Sequence, residues 1–500
     1  MPKNIVLCSD GTGNSTIKDR GTNVYKLYEA VDLVIQQGET PQVVFYDDGV
    51  GTGSLKTLRA LGGAFGFGFT RNIRDLYSYL CRCYEPGDSI YLFGFSRGAY
   101  TVRALGGMIA NCGILNANTL PEDAFREAVS EAYDVYRLRY RPDRSQADAT
   151  KRAEEFRRRR GVHQPGDPVR ITFIGVWDTV GAVGLPDDVW LKKFLWILSG
   201  FRIPWFKHYH LGQIVDRACH ALSVDDQRQT FAPVLWDRRR TPDDPTPVPD
   251  SRLDQVWFAG VHSNVGGGYV KEGMSLEALD WMMRQARASG LRFSALADQA
   301  CRERKNVHDK LYDSRSGLGT FYRYLPRDVK EISTKFGIDH PRVHASVFDR
   351  IGMRTGGYAP GNIPPGIVVV GPDRDRLPGL QAAADNALVA GLPLDSARGL
   401  VRTRRVCYLV TLISTIVLAL WAVGLGLSRE GLTATASALV SISGIAGLVW
   451  DLVKHHPLGA CVLVALAGSA WLTSWRTGRR MADRFAEVWR PMVENLRPAS

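Results

Sequence analysis

The chain has little of what metal-stapled or disulfide-stapled proteins are built on. Its 500 residues include only eight cysteines, and two of these, Cys407 and Cys461, sit inside apolar runs. Cys81 and Cys83 are one residue apart, which is not the usual zinc spacing, and no second pair completes a site. Reduced thiols and no metal are therefore expected. Internal repeats are missing, and so are a zinc-finger spacing, an RNA-binding signature and a basic groove with interleaved aromatics. The formal net charge of +12 is not distributed as a nucleic-acid surface would need. One basic block, Arg152 to Arg160, lies in a helix-like run with two glutamates. The others, Arg398 to Arg405 and Arg476 to Arg480, flank apolar segments, where arginine sets membrane topology. Nucleic acid is excluded as a partner on this reading. The opening MPKNIVLCSDG runs into a strand-like segment rather than a charged-then-apolar leader. The N-terminal part is accordingly expected to fold in the cytoplasm.

What is present reads as a globular chain, with 45% hydrophobic and 23% charged residues. Short apolar runs alternate with longer amphipathic ones. Strands are predicted at Asn4–Cys8, Gln42–Tyr46, Ser89–Phe93, Val169–Val176 and Gln255–Val261. Helices are predicted at Thr22–Gln37, Arg71–Tyr84 and Arg97–Asn111, and charged surface helices within 122–160. Such alternation implies βαβ units, hence an α/β fold with a mostly parallel sheet flanked by helices. Past about residue 290 the pattern weakens into Gly/Pro-rich stretches. The expected division is a catalytic-type domain over 1–395 (core 4–290, irregular extension 290–395), an apolar region over 396–480 and a tail over 481–500.

After Arg405 the composition shifts. Val406 to Ser428 is 23 residues without a charge, Gly431 to Trp450 is 20 and Pro457 to Trp475 is 19. Each approaches the roughly 20 residues a bilayer crossing needs. The middle segment is rich in Ser, Thr, Ala and Gly, so its drive to insert is weak. Arg398, Arg402, Arg404 and Arg405 precede the first segment, and Arg476, Arg479 and Arg480 follow the last. Keeping both clusters in the cytoplasm requires an even number of crossings. Two crossings are expected, with the middle segment re-entrant, peripheral or packed between them, and three crossings are the alternative. In the tail, apolar residues at 481, 485, 488, 489, 492 and 496 make one helical stripe suited to lying on a membrane or a partner.

The strongest chemical signal is Gly94-Phe-Ser96-Arg-Gly98, placed after an apolar strand and before a helix. In a nucleophile elbow the serine takes a strained conformation, and the flanking glycines let strand and helix approach closely. Ser96 then sits at a helix N-terminus, where the Arg97 amide is an expected oxyanion donor. A serine hydroxyl needs a base oriented by a carboxylate. His262 follows the strand QVWFAGV and precedes a glycine-rich loop, which brings it to the C-terminal edge of the sheet. His220, in ACHALSVDD, is the competitor and is read as a helix histidine that packs or bonds locally. For the acid, Asp178 ends the strand ITFIGVW, giving the order Ser, Asp, His. Asp225 and Asp226 are the fallback. Gly11 or Thr12, in the loop CSDGTGN, is placed to supply a second oxyanion amide. Asp10 in that loop is either part of the site or ordinary turn chemistry. This chemistry needs neither metal nor cofactor.

These motifs, taken as a set, resemble a bacterial family of α/β-hydrolase domains that includes phospholipase effectors of type VI secretion systems. The resemblance rests on Asp10 to Thr12, Gly49 to Thr52, Gly94 to Ala99, Val176 to Val180, His220 to Trp236 and Trp257 to Ser263, and spans roughly residues 4 to 285. The family usually has Trp where this chain has Gly13, and Asp where it has Asn264. The resemblance implies a phospholipid or other acyl-ester substrate and a Ser96–Asp178–His262 triad. A hydrophobic insertion, Leu185 to Phe206, carries Trp190, Trp196, Phe201 and Trp205 among basic residues. Aromatics with basic neighbours suit an interface with lipid, so a lid or acyl-binding flap is expected there, against plain packing on the core. Two other classes stay open. A phosphohydrolase of the haloacid type would need an aspartate at position 8, where the chain has Cys8. The other is a membrane-bound scaffold on a retired hydrolase fold.

Overall fold

A computed structural model describes residues 1–11, 21–48, 64–141, 144–160, 162–163, 169–181, 209–241, 244–389, 394, 397–439 and 442–496. Eight strands form one sheet: β1 Asn4–Ser9, β2 Gln42–Asp47, β3 Ser89–Phe95, β4 Ile171–Trp177, β5 Val215–Ser223, β6 Leu253–Phe258, β7 Arg342–His344 and β8 Val368–Val370. Their order is β2-β1-β3-β4-β5-β6-β7-β8, and every pairing is parallel. A parallel sheet needs both faces covered. Side chains alternate accordingly along β1, where Ile5 and Leu7 face one core and Val6 and Cys8 the other. The first face is covered by α2 Ala64–Cys83, α3 Arg97–Cys112, α4 Glu122–Leu138 and α5 Gln146–Arg160. The second carries α1 Asn23–Ala30, α7 Gly273–Arg287 and α8 Ala295–Arg304, with the one-and-a-half-turn α6 His262–Gly266 at the edge.

The chain leaves β1 in one direction to β2 and returns to the other side as β3. The sheet order therefore reverses between β1 and β3, and the crevice above their C-terminal ends is where open parallel sheets hold ligands.

Two sequence expectations change. The strand pattern does not stop near residue 290, because β7 and β8 extend the sheet to Val370. They escape the periodicity argument because each is three residues long. The helix predicted over Thr22–Gln37 ends at Ala30, and Val31 instead bridges Phe293.

Beyond the sheet lie α9 Val329–Lys335, α10 Ala345–Gly352 and α11 Pro378–Leu388, then three helices in the apolar region. These are α12 Arg398–Ala438, broken at Gly431 (φ 79°), α13 Ile442–His455 and α14 Pro457–Leu496. By length and composition, Arg398–Arg429 and Pro457–Glu494 are long and apolar enough to cross a membrane. Their outward faces show Ile413, Leu420, Val462 and Trp471, each about half exposed or more. The middle segment packs instead, with Leu448 and Leu452 buried against Ala422 and Ala460.

The amphipathic tail has a partner, and it is the chain itself. Trp489, Met492 and Val493 are buried in one core with Phe348, Ile363 and Leu388, while Met481 and Phe485 close on Tyr324 and Val401. Trp489 Nε1 donates to the Pro360 carbonyl at 2.8 Å. The stripe is thus consumed by the fold rather than offered to a bilayer. Gly361 makes the close approach possible, since a Cβ there would fall 2.3 Å from the Phe485 ring.

Candidate active site

Ser96 joins β3 to α3 at φ 58°, ψ −120°, a conformation that costs an ordinary residue on the order of 1–3 kcal/mol. The neighbouring glycines explain how it is held. A Cβ at Gly98 would lie 2.1 Å from the Ser9 carbonyl oxygen, and one at Gly94 would lie 2.7 Å from the Ala99 backbone. Helix α3 can therefore sit directly on β1 and fold back on β3. The Ser96 amide donates to the Trp177 carbonyl at 3.1 Å, which ties the turn to β4.

The hydroxyl meets an imidazole. His262 Nε2 lies 2.8 Å from Ser96 Oγ, and His262 Nδ1 lies 2.5 Å from Asp178 Oδ2. Because a carboxylate only accepts, the proton sits on Nδ1 and leaves Nε2 as the acceptor for the serine. Asp178, fully buried at the end of β4 with φ 37°, also accepts from the Ser223 amide at 2.9 Å. His262 is framed by Phe95 at 4.6 Å and Phe231 at 4.9 Å between ring centres. Gly266 leaves the space Phe95 occupies. Burial pushes the imidazole pKa below its ordinary value, against the pull of Asp178, so a neutral base is favoured.

Sequence reasoning missed Arg327. Its Nη1 and Nη2 donate to Asp178 Oδ1 and Oδ2 at 2.6 and 2.8 Å. Burial alone would raise the Asp178 carboxyl, but the Arg327 charge and hydrogen bonds, then His262, hold it well below the usual range. No local motif marks Arg327. It reaches the site from the stretch that reads as irregular.

The remaining candidates fall in distinct places. His220 is on strand β5, not in a helix as its surroundings suggested. Pairing between β4 and β6 on a buried sheet overrides the helical propensity of ACHAL. There its Nε2 accepts from the Thr179 amide at 3.1 Å, its Nδ1 faces Gln255 Oε1 at 3.3 Å, and Trp236 packs edge-on. Burial and then the Arg103 cation push it down to about 3, so it stays neutral and props the peptide after Asp178. Asp225 turns away from the imidazole to accept from the Gly260 amide (2.7 Å) and Tyr358 (2.9 Å). Asp226 accepts from the His262 backbone amide at 3.2 Å and from Arg228. Asp10 is buried and accepts from Thr22 (2.5 Å), Tyr46 (2.7 Å) and the Gly11 amide (2.6 Å). The amide of Gly11 is therefore directed at its neighbour's carboxylate. Arg97 opens α3 directly after Ser96.

Thr12, the Gly49–Thr52 turn and the insertion with Trp190, Trp196, Phe201 and Trp205 lie outside the described residues. Asn264 fastens the histidine loop, its Nδ2 donating to the Lys310 carbonyl at 3.1 Å. Cys8, at the position a phosphatase-type loop gives to its nucleophile, is fully buried in the sheet. Burial and then the Asp10 charge push its thiol far up, which keeps it neutral.

Comparison with known proteins adds a lineage. A family model described as "T6SS, Phospholipase effector Tle1-like, catalytic domain" matches residues 3–285. The chain is also 30% identical over 245 residues to the "Uncharacterized protein YEL023C" of Saccharomyces cerevisiae, covering 46% of this chain and 32% of that protein. It thus spans about a third of the length of that curated relative. A solved structure titled "Crystal structure of an uncharacterized protein from Pseudomonas aeruginosa" covers 95% of this chain and 66% of its own, at 16% identity and a TM-score of 0.34. That score is too low to bear on the site.

Proposed function

The chain belongs to the family of T6SS Tle1-like phospholipase effector catalytic domains, and from that premise we propose that it is a serine hydrolase of lipid acyl esters acting at a membrane. The observation that carries the reading is the unbroken line from Ser96 Oγ through His262 to Asp178, at 2.8 and 2.5 Å, on the crevice edge of a parallel sheet. The position of the elbow after β3, beside the reversal of strand order, supports an α/β-hydrolase-like assignment.

In this mechanism His262 Nε2 takes the Ser96 proton as Oγ attacks the ester carbonyl. The imidazolium that forms is stabilised by Asp178 and then protonates the leaving alcohol. A water deprotonated by the same nitrogen attacks the acyl-Ser96 ester and releases the fatty acid. The N-terminus of α3, beginning with the Arg97 amide, faces the developing oxyanion with the positive end of the helix dipole. The two long apolar helices, with arginines at Arg398–Arg405 and Arg476–Arg480, support an anchored enzyme whose catalytic domain stays on the cytoplasmic side.

The test is covalent labelling by a fluorophosphonate probe together with mass analysis of phospholipid vesicles incubated with the protein. Wild type is expected to take the probe and release fatty acid, and Ser96→Ala to do neither. Labelling that persists in a folded Ser96→Ala variant sinks the assignment.

A further inference from the structure

We infer that Arg327 is a positioning residue of this hydrolase site: its two-pronged hold on Asp178 fixes the carboxylate and sets how readily His262 accepts a proton. The inference rests on the hydrolase reading and deepens it.

The geometry is that of a buried clamp. Arg327 is 5% exposed, and both terminal nitrogens pair with both Asp178 oxygens. Nη1 also donates to the Ser223 carbonyl at 2.5 Å, and Nη2 to the Phe231 carbonyl at 2.7 Å. One guanidinium thus ties the ends of β4 and β5 to the residue whose ring packs on His262. A planar fork fits this arrangement, and a lysine ammonium would not reproduce it. The residue comes from beyond the family-matched stretch, which ends at residue 285. Its segment is itself secured, because Tyr324 is fully buried between Arg404 at 4.3 Å and Arg315 at 5.0 Å, and its hydroxyl accepts from Arg404 at 3.1 Å. Arg404 belongs to α12, so the base of the apolar helices braces the segment that carries the clamp.

The consequence is electrostatic. Around His262 stand Asp178, Asp226 and Arg228. Around Asp178 stand His262 and Arg327, with neutral His220 behind Thr179. Around Arg327 stand Asp178, Asp226 and Asp225. A lone buried carboxylate beside the imidazole would favour the imidazolium and stall the base at mildly acidic pH. Arg327 offsets that charge while keeping Asp178 ionised as a hydrogen-bond acceptor. The serine's base then stays neutral to lower pH than an isolated Asp–His pair would allow.

The experiment measures kcat/KM against pH for the full-length protein in detergent, using a short-chain soluble ester, for wild type, Arg327→Lys, Arg327→Met and Ser96→Ala. Arg327→Met is expected to move the acid limb upward by about one pH unit or more. Arg327→Lys is expected to keep the limb near wild type, with KM unchanged and kcat reduced at least tenfold. An unmoved limb in Arg327→Met, or wild-type kcat in Arg327→Lys, overturns the inference. If Arg327→Met does not fold, Arg327→Lys decides alone. Ser96→Ala separates the two claims: if it retains wild-type activity, the hydrolase reading itself falls. If it is inactive and the Arg327 outcomes fail, only the clamp is lost.

Discussion

Replacing Asp178 with asparagine separates what this carboxylate does for chemistry from what it does for folding. Its two oxygens receive the His262 Nδ1 proton at 2.5 Å, two Arg327 nitrogens at 2.6 and 2.8 Å, and the Ser223 amide at 2.9 Å. Asparagine keeps one acceptor and turns the other oxygen into an NH2 group that faces donors. The imidazole relieves the clash by moving its proton to Nε2, where it can no longer accept from Ser96. A wrong tautomer of this kind costs roughly 10⁴-fold in kcat. Arg327 is meanwhile left with half a partner in the interior, and breaking a buried pair from one side costs about 3–5 kcal/mol. The assay pairs turnover of a short-chain ester with thermal unfolding. The double variant Asp178→Asn/Arg327→Met is expected to regain much of the lost stability and none of the activity. Asp225→Asn, which leaves the imidazole contact intact, is expected to retain activity within tenfold. If Asp178→Asn stays within tenfold of wild type while Asp225→Asn collapses, the acid has been misassigned.

Other perturbations test other links. Gly98→Ala places a methyl group 2.1 Å from the Ser9 carbonyl and is expected to destabilise by at least about 1–3 kcal/mol in denaturation. Gly106→Ala, whose new methyl would meet the side-chain ends of Ile174, Ile171 and Leu92 at 3.4, 3.5 and 3.9 Å within a regular helix, is expected to be neutral or slightly stabilising. Trp489→Ala removes a buried indole and its bond to Pro360, for an expected loss of about 3–5 kcal/mol and faster limited proteolysis of the C-terminal tail. Burial first of all pushes His220 and His344 down to about 3, whereas an unfolded histidine binds its proton near 6.5. The unfolded state therefore holds more protons between those values, and stability is lost as pH falls through that window, by a few kcal/mol or so. His220→Gln should flatten the dependence of melting temperature on pH, and an unchanged slope would count against a neutral buried imidazole. A tag after Ser500 is expected on the same side of the membrane as the catalytic domain. Protease protection of one but not the other would mean an odd number of crossings.

The parts of the fold legible in advance are those where one physical requirement acts over a long enough stretch. β1, β3 and β4 are continuous apolar runs because both faces of a parallel sheet are covered, and α3 is flagged by the turn that starts it. Where the requirement is tertiary, local pattern misleads. β5 carries Ala218, Cys219, His220 and Ala221, residues with no strand preference, and is a strand only because two neighbours pair with it. β7 and β8 are too short to show a period. The tail's apolar stripe was legible as a stripe. Its partner, the Phe348 and Ile363 surface, is assembled from residues over a hundred positions away.

The candidate site divides along the same line. Ser96 and Asp178 directly follow strands, and His262 opens α6 four residues past β6; each sits beside glycines or a sharp turn, so local sequence points to them. Arg327 has no such marker, because its role is defined only by where Asp178 lies in space. A buried arginine needs acceptors or a counter-charge, and a buried carboxylate at a strand end cannot remain ionised without donors. Each therefore implies a partner whose position the sequence does not disclose. The same reasoning makes the region after residue 285 more than an appendage. It contributes β7, β8, the clamp on Asp178 and the Tyr324–Arg404 brace, so a truncation ending at the family-matched stretch removes the group that keeps the acid charged. Such a fragment is expected to lose ester hydrolysis even where Ser96, Asp178 and His262 are all retained. Full activity in that fragment would show that the acid needs no help from the extension.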